Sequence, residues 1–435
     1  MKRIALIGGG LALFLSACSS GQDYILPGER LDIRDGMPTA QQPDLNAAQP
    51  ISLPRAVSTG EWTHRGGNAL HNYSHLGLSA QPSLRMAVSI GEGNSRRHRI
   101  TASPVAADGV IYTLDSSVTV VATAVDGTRL WSRNLIPSGE NTVISGGGLA
   151  LGSGKLFVTT GYGELVAIDL ATGSPAWRQD LDAAASATPT IANGTVYVVG
   201  RNSRAWAIDA ETGRIDWTFA GAPSNANYAS GASVAVTSDL ALFPFPSEQL
   251  VATFRRGGLQ RWAAVIAGDR VGQATNFIDD ITTDPVVVGN TVYVGNFAGR
   301  IAAIDLNSGD RDWTAAEGTR GQIWVAGGSV FAVNDLNELI RLNARSGQVI
   351  WRTALPNFVD RRNGKFRASD VHYGPIIAGG QIVLASTDGL LRMFDPVSGQ
   401  LTNSIELPSG AASEPIVVGD TLYVINKEGQ LLAFR

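Results

Sequence analysis

Seven times along its length this chain repeats one short motif, and that repetition leaves few folds open. An acidic or Asn residue, two variable residues, Thr or Ser, and Gly are followed four residues later by Trp. The motif appears as Asp169 to Gly173 with Trp177, Asp209 to Gly213 with Trp217, Asp305 to Gly309 with Trp313, and Asn343 to Gly347 with Trp351. Gly127–Trp131 and Gly258–Trp262 keep the spacing without the full turn. Asp395 to Gly399 keeps the turn and places Asn403 where Trp is expected. The glycines recur about every 45 residues, the period of a propeller blade.

The local chemistry suits a hairpin. Asp or Asn opens the turn by accepting backbone N–H groups. Gly takes the left-handed conformation that closes it. Trp then lies in the following strand, where a large ring can pack against a neighbouring unit. Upstream lies the rest of a unit, as in Thr190-Ile191, the Asn193-Gly194 turn, Val196 to Val199 and Ala205 to Ile208. With the Trp217 strand this makes four antiparallel strands, one blade. Pro285 with Val292 to Val294 and Pro415 with Leu422 to Val424 are close copies.

The last unit, from about Glu414 to Phe434, supplies three strands. Leu84 to Ser89 is strand-like and has no three strands ahead of it. It is expected to complete the last blade and close an eight-bladed ring, hiding edges that would otherwise pair with other chains. A seven-bladed ring is the alternative.

The first residues are of another kind. Lys2 and Arg3 precede an apolar run, Ile4 to Leu15, too short to span a bilayer. Residues 1–17 are expected to be a signal peptide. Leu15-Ser16-Ala17-Cys18 resembles a bacterial lipobox, which implies cleavage before Cys18 and lipid attachment to it. Ser19 follows, and by the same resemblance the mature protein goes to the outer membrane, on its periplasmic face. Residues 18–55, with five prolines and few aromatics, are expected to be a flexible tether. Residues 56–435 are the propeller.

The net charge of −4 gives no polyanion-binding signal and no nucleic-acid partner is expected. Cys18 is the only cysteine, so the chain has no Cys-x-x-Cys-His haem site. Of five histidines, His64, His71 and His75 fall close together and could be proposed as metal ligands. No acidic or cysteine residue stands beside them, and solvated loop histidines are expected instead. No metal and no cofactor is expected. His98 and His372 lie apart.

The Asp-x-x-Thr-Gly-x-x-x-Trp core resembles the pyrroloquinoline-quinone-type propeller repeats over about 100–435, and the stretch beginning Trp62-Thr-His-Arg-Gly-Gly is similar to the segment that precedes such propellers. Enzymes of that kind carry adjacent cysteines at the quinone, and this chain has none. Lipobox, tether and propeller together resemble the BamB family, propeller lipoproteins of the β-barrel assembly machinery. That resemblance implies a non-enzymatic scaffold without a small-molecule substrate, whose partners are the periplasmic domains of BamA and other machinery components. A scaffold of a different envelope complex is the alternative, and a quinone-dependent dehydrogenase relative a further one.

Antiparallel blades put the tight turns after strands one and three on one face. The longer links between blades, about 220–233, 267–284 and 354–374, lie on the other, where recognition is usual. In the BamB family, links entering two successive middle blades contact BamA. By that resemblance Asp279 and Asp280 match an acidic stretch before Pro285. A second acidic position falls on Thr282. A Leu-x-Leu-Arg piece is replaced by Asn225-Ala226-Asn227-Tyr228, which leaves Asn227 and Tyr228 as the partner-binding candidates there. The alternative for Asp279 and Asp280 is a solvated loop capping backbone amides.

Overall fold

The computed structural model describes residues 46, 48–183, 187–224, 231–268, 280–319, 321–358 and 369–435. Among these residues are thirty-two strands and no helix, arranged as eight separate four-stranded antiparallel sheets. Seven blades are continuous in sequence: 105–134, 147–180, 190–220, 235–265, 286–315, 324–354 and 372–406. The eighth consists of Ile416–Val418, Thr421–Ile425 and Gln430–Phe434, completed by Leu84–Ser89. Leu84 lies opposite Phe434 and Ser89 opposite Gln430. Beyond the strand ends, Ser83 N–H donates to Arg435 O at 2.9 Å and Arg435 N–H to Ser83 O at 3.0 Å. The ring is an eight-bladed β-propeller closed by an N-terminal strand, as the repeat predicts.

Strand composition follows position in the blade. The second and third strands, such as Val110–Leu114 and Thr119–Ala124, are buried along nearly their whole length. Neighbouring blades cover both their faces, so apolar residues run on without alternating. Among the fourth strands Val349–Ala354 is more buried, while most, such as Ile215–Ala220, are largely exposed. Their Trp is the exception.

Each Trp faces its own blade on one side and the next blade on the other. Within the blade all but Trp262 sit near an aromatic residue of the second strand: Trp131 lies 5.8 Å from Tyr112, and Trp351 lies 6.1 Å from Phe331, while Trp262 packs in a cluster with Leu242. Across the junction the indole N–H donates to the carbonyl just after the turn's first residue. Trp131 reaches Leu170 O at 2.8 Å, Trp262 reaches Leu306 O at 2.8 Å and Trp313 reaches Ala344 O at 2.9 Å. The turn that receives the ring is built as the motif dictates. Asp169 Oδ1 accepts from Thr172 N–H at 2.9 Å and from Thr172 Oγ1 at 2.8 Å. Those bonds hold the Asp169 carboxyl below its ordinary pKa. Gly173 has φ +67°, and a Cβ there would meet Trp131 at 2.6 Å.

Two junctions depart from the rule. Blade eight has no turn between its third and fourth strands, because Gln430–Phe434 and Leu84–Ser89 come from opposite parts of the chain. An indole on blade seven would have no turn to dock on, and Asn403 occupies that position. At the next junction Met86 Sδ and Val88 Cγ1 lie 3.1 and 3.2 Å from where a Cβ on Gly127 would stand. These aliphatic side chains fill the place a Trp takes elsewhere.

Candidate functional site

The central channel is closed on the tight-turn face by the chain's own N-terminal segment. Its irregular backbone has no sheet to satisfy it, and buried peptide groups need partners. It finds them on the blades in turn. Gly419 N–H of blade eight donates to Thr59 O at 2.8 Å. Trp62 and Ala106 of blade one exchange backbone bonds at 2.7 and 2.9 Å. Leu151 N–H of blade two donates to Thr63 O at 2.8 Å. Ile191 N–H of blade three donates to His64 Nε2 at 3.1 Å. Val236 of blade four and Val287 of blade five donate to Ala69 O and Leu70 O at 2.8 and 3.0 Å. Trp324 Nε1 of blade six donates to Ser74 O at 3.0 Å, and Leu76 N–H donates to Ile377 O of blade seven at 2.9 Å. Residues 59–76 thus run once round the axis in blade order. Trp62 anchors this plug, 1% exposed, between Tyr73 and Trp324.

Arg65 rises from the plug into the channel. Its guanidinium lies 3.3 Å from Asp284 Oδ2 of blade five and 3.3 Å from Glu414 Oε1 of blade eight. It also donates to Gly231 O at 3.4 Å. Asp284 in turn accepts from Ser233 N–H at 2.6 Å. Above Arg65 a cavity of about 250 Å³ opens toward the link face, bordered by Thr101, Ser103, Asn334, Tyr373 and Ser413. The Arg65, Asp284 and Glu414 cluster left no local trace in the sequence, because its members come from three distant segments.

The histidines correct the expectation of solvated loop residues. His64 and His71 are buried, as is His372. The plug needs acceptors inside the ring, and an imidazole supplies one without carrying charge. Burial lowers the His64 pKa to about 3, helped by the neighbouring His71 and opposed by the Ile191 carbonyl, which lies 3.0 Å from Nε2 and favours a protonated ring. With Nδ1 protonated, the neutral ring donates to Thr63 Oγ1, 2.8 Å away, and accepts from Ile191 N–H. Burial also lowers the His71 pKa, against the pull of Asp284. Among the described residues no group of three or more His, Cys, Asp or Glu is placed to hold a metal ion.

At the link edge between blades three and five, Asp280 borders a shallow cleft with Arg201, Gly231, Pro246 and Ile281. Asp280 is only 5% exposed, so it is not part of a solvated loop. Thr282 is buried too, and its hydroxyl donates to Thr319 O while Ile281 bridges to Asn296. These bonds tie the entry to blade five to the end of its second strand, at Asn296, and to the link that leaves the blade, at Thr319. Asp279, Asn227, Tyr228 and Cys18 lie outside the described residues.

The family model for outer membrane protein assembly factor BamB matches residues 114–353. Curated relatives of that name include the protein of Shewanella oneidensis, 22% identical over 80% of this chain and 88% of the relative. The Salmonella typhimurium protein is 24% identical over 81% of this chain and 87% of the relative. Among solved structures, BamB from Moraxella catarrhalis superposes with a TM-score of 0.68 at 16% identity, covering 82% of this chain and all of that one. Quinohemoprotein alcohol dehydrogenase from Comamonas testosteroni superposes with a TM-score of 0.66 at 15% identity, covering 87% and 81%. At these identities the structural likeness is one of fold.

Proposed function

The chain belongs to the family of the outer membrane protein assembly factor BamB, and from that premise we propose that it is a non-enzymatic scaffold lipoprotein of the β-barrel assembly machinery. Cys18 carries the lipid, and Ser19 after it directs the protein to the periplasmic face of the outer membrane. The link face binds the periplasmic domains of BamA through the region of Asp279 and Asp280, with Asn227 and Tyr228 on the preceding link. The match over residues 114–353 carries this reading, since it spans the blades that bear both links. A scaffold role is also supported by the channel floor, which the chain's own Arg65 occupies with its two carboxylate partners. The single cysteine leaves no adjacent pair for a quinone site.

Asp280 is buried, so the test must separate contact from folding. Asp280→Asn keeps the shape and removes the charge. It is expected to weaken capture of the purified BamA periplasmic domain about five- to tenfold, in line with loss of one charged contact, while the melting temperature stays near that of the parent. Equal capture removes Asp280 from the interface. Deleting the gene is expected to lower porin levels in the outer membrane; normal porin assembly would favour a scaffold for a different envelope complex. Cys18→Ser should release the protein from membranes into the soluble periplasmic fraction.

A further inference from the structure

The link between the closing strand Leu84–Ser89 and blade one carries Arg96, Arg97, His98 and Arg99 in succession, in a chain whose net charge is −4. The three arginines are exposed. Among the described residues none of them has an ion-pair or hydrogen-bond partner. Other arginines of this protein do pair, as Arg178 does with Glu164 and Arg392 with Asp388.

The loop that presents them is fixed rather than loose. Ser95 N–H donates to His98 O at 2.8 Å, and His98 N–H to Ser95 Oγ at 3.0 Å. Ile100 N–H donates to Asn94 Oδ1 at 2.7 Å, and Asn94 N–H to Lys427 O of blade eight at 2.7 Å. On the other side Glu92 N–H donates to Asp115 Oδ2 of blade one at 2.9 Å. A Cβ on Gly93 would lie 2.5 Å from Lys427 O, so the loop is seated closely on its neighbour. Long side chains on a held backbone lose less freedom on binding than they would on a mobile one. Ile100 and Thr101, next in the chain, border the channel cavity. The loop that carries the three arginines therefore leads directly into the lining of a concave, partly polar mouth.

We propose that this loop docks an acidic, extended segment of a partner protein, whose carboxylates pair with Arg96, Arg97 and Arg99 as the segment crosses the channel mouth. Guanidinium forks bind carboxylates in two-pronged fashion. A flat anionic bilayer fits less well. Exposed Glu92 and Glu428 stand beside the three arginines, and a membrane surface cannot enter the cavity. The site lies at the entry to blade one, four blades round the ring from Asp280 at the entry to blade five. It is therefore a second contact region of opposite charge, and it stands or falls separately from the Asp280 edge.

The test uses the full chain in detergent and a fluorescent decapeptide of alternating glutamate and serine, read by anisotropy. Binding should weaken about tenfold in R96Q/R97Q/R99Q, as expected for losing three partly solvated charge pairs. The lysine variant R96K/R97K/R99K should retain most of it, and R214Q/R345Q, which alters exposed arginines of the opposite face, should match the parent. Equal binding by the triple glutamine variant overturns the proposal, as does equal loss in R214Q/R345Q. Phosphatidylglycerol vesicles are the second arm. Recruitment that depends on the three arginines, without peptide binding, would assign the loop to lipid and overturn the proposal as well.

Discussion

Trp262 and Gly309 belong to different blades, yet a Cβ on Gly309 would stand 2.7 Å from the Trp262 ring. The indole N–H of Trp262 donates to Leu306 O in the same turn at 2.8 Å. Gly309 has φ +78°, so its lack of a side chain serves the turn and the ring together. Trp262→Ala should cost about 3–5 kcal/mol, the range for emptying a buried aromatic site. Gly309→Ala should cost about 1–3 kcal/mol, because the added methyl must displace the ring. Urea unfolding of the two variants and of the double variant measures this. The double variant should lose less than the sum, since the methyl no longer meets an indole.

Asn403 offers the converse experiment. Asn403→Trp restores the repeat in sequence but faces a blade without the receiving turn. No gain in stability is expected, within about 0.5 kcal/mol of the parent or below it. A clear rise in the urea midpoint would show that the indole finds another seat.

Arg65→Leu leaves Asp284 and Glu414 facing each other's charge without a cation in the channel. Removing one partner of a buried ion cluster costs about 3–5 kcal/mol. Adding Asp284→Asn and Glu414→Gln to Arg65→Leu should recover much of that loss. Thermal unfolding of the single and triple variants decides it, and failure to recover would mean that Arg65 acts through packing.

His64 sets an acid limit on the plug. Its folded pKa, about 3, lies below the value of 6.5 for an unperturbed histidine. The unfolded chain therefore binds a proton that the folded one does not between those values. Its contribution is whole above pH 6.5 and is lost as pH falls toward 3, by up to about 1.4 kcal/mol per pH unit. His64→Gln keeps an acceptor for Ile191 N–H and cannot be protonated. Its stability should fall less steeply than the parent's between pH 6 and pH 4, and identical slopes would remove His64 from the acid response.

The ring was legible in the sequence because its junctions reuse one side-chain recipe. An Asp-initiated turn, a Gly and a Trp leave a signature each time they recur, and the missing fourth strand of the last unit pointed to Leu84–Ser89. The departure at Asn403 was visible too, though its cause needed the structure: the turn that would receive an indole is absent from blade eight. The plug was not legible. Its bonds to the blades are made largely by backbone groups, which any residue carries, so only Trp62 and the paired glycines hinted at order. The same is true of Asn46 and residues 48–55, in the stretch expected to be tether. Asn46 N–H donates to Ile350 O at 3.1 Å, and Gln49 O and Pro50 O accept from Arg341 at 2.6 and 3.2 Å. Asp280 is indicated by the BamB resemblance, through its match to an acidic stretch before Pro285, and its burial cannot be foreseen from a run of acidic residues.

The circuit of residues 59–76 acts as a gauge of the ring. It offers at least one hydrogen bond to each of eight blades, in order, over a fixed length of chain. A ring with one blade fewer or more would have a different circumference and would leave peptide groups of the circuit unpaired in the interior, each costing about 1–3 kcal/mol. The gauge also reads late. Thr59 and Leu76 need blades eight and seven, so the segment can settle only after nearly the whole chain is in place, though it precedes every blade in sequence. Such distant pairing makes for slow folding, and it turns the N-terminal segment into a check that the last blade has arrived.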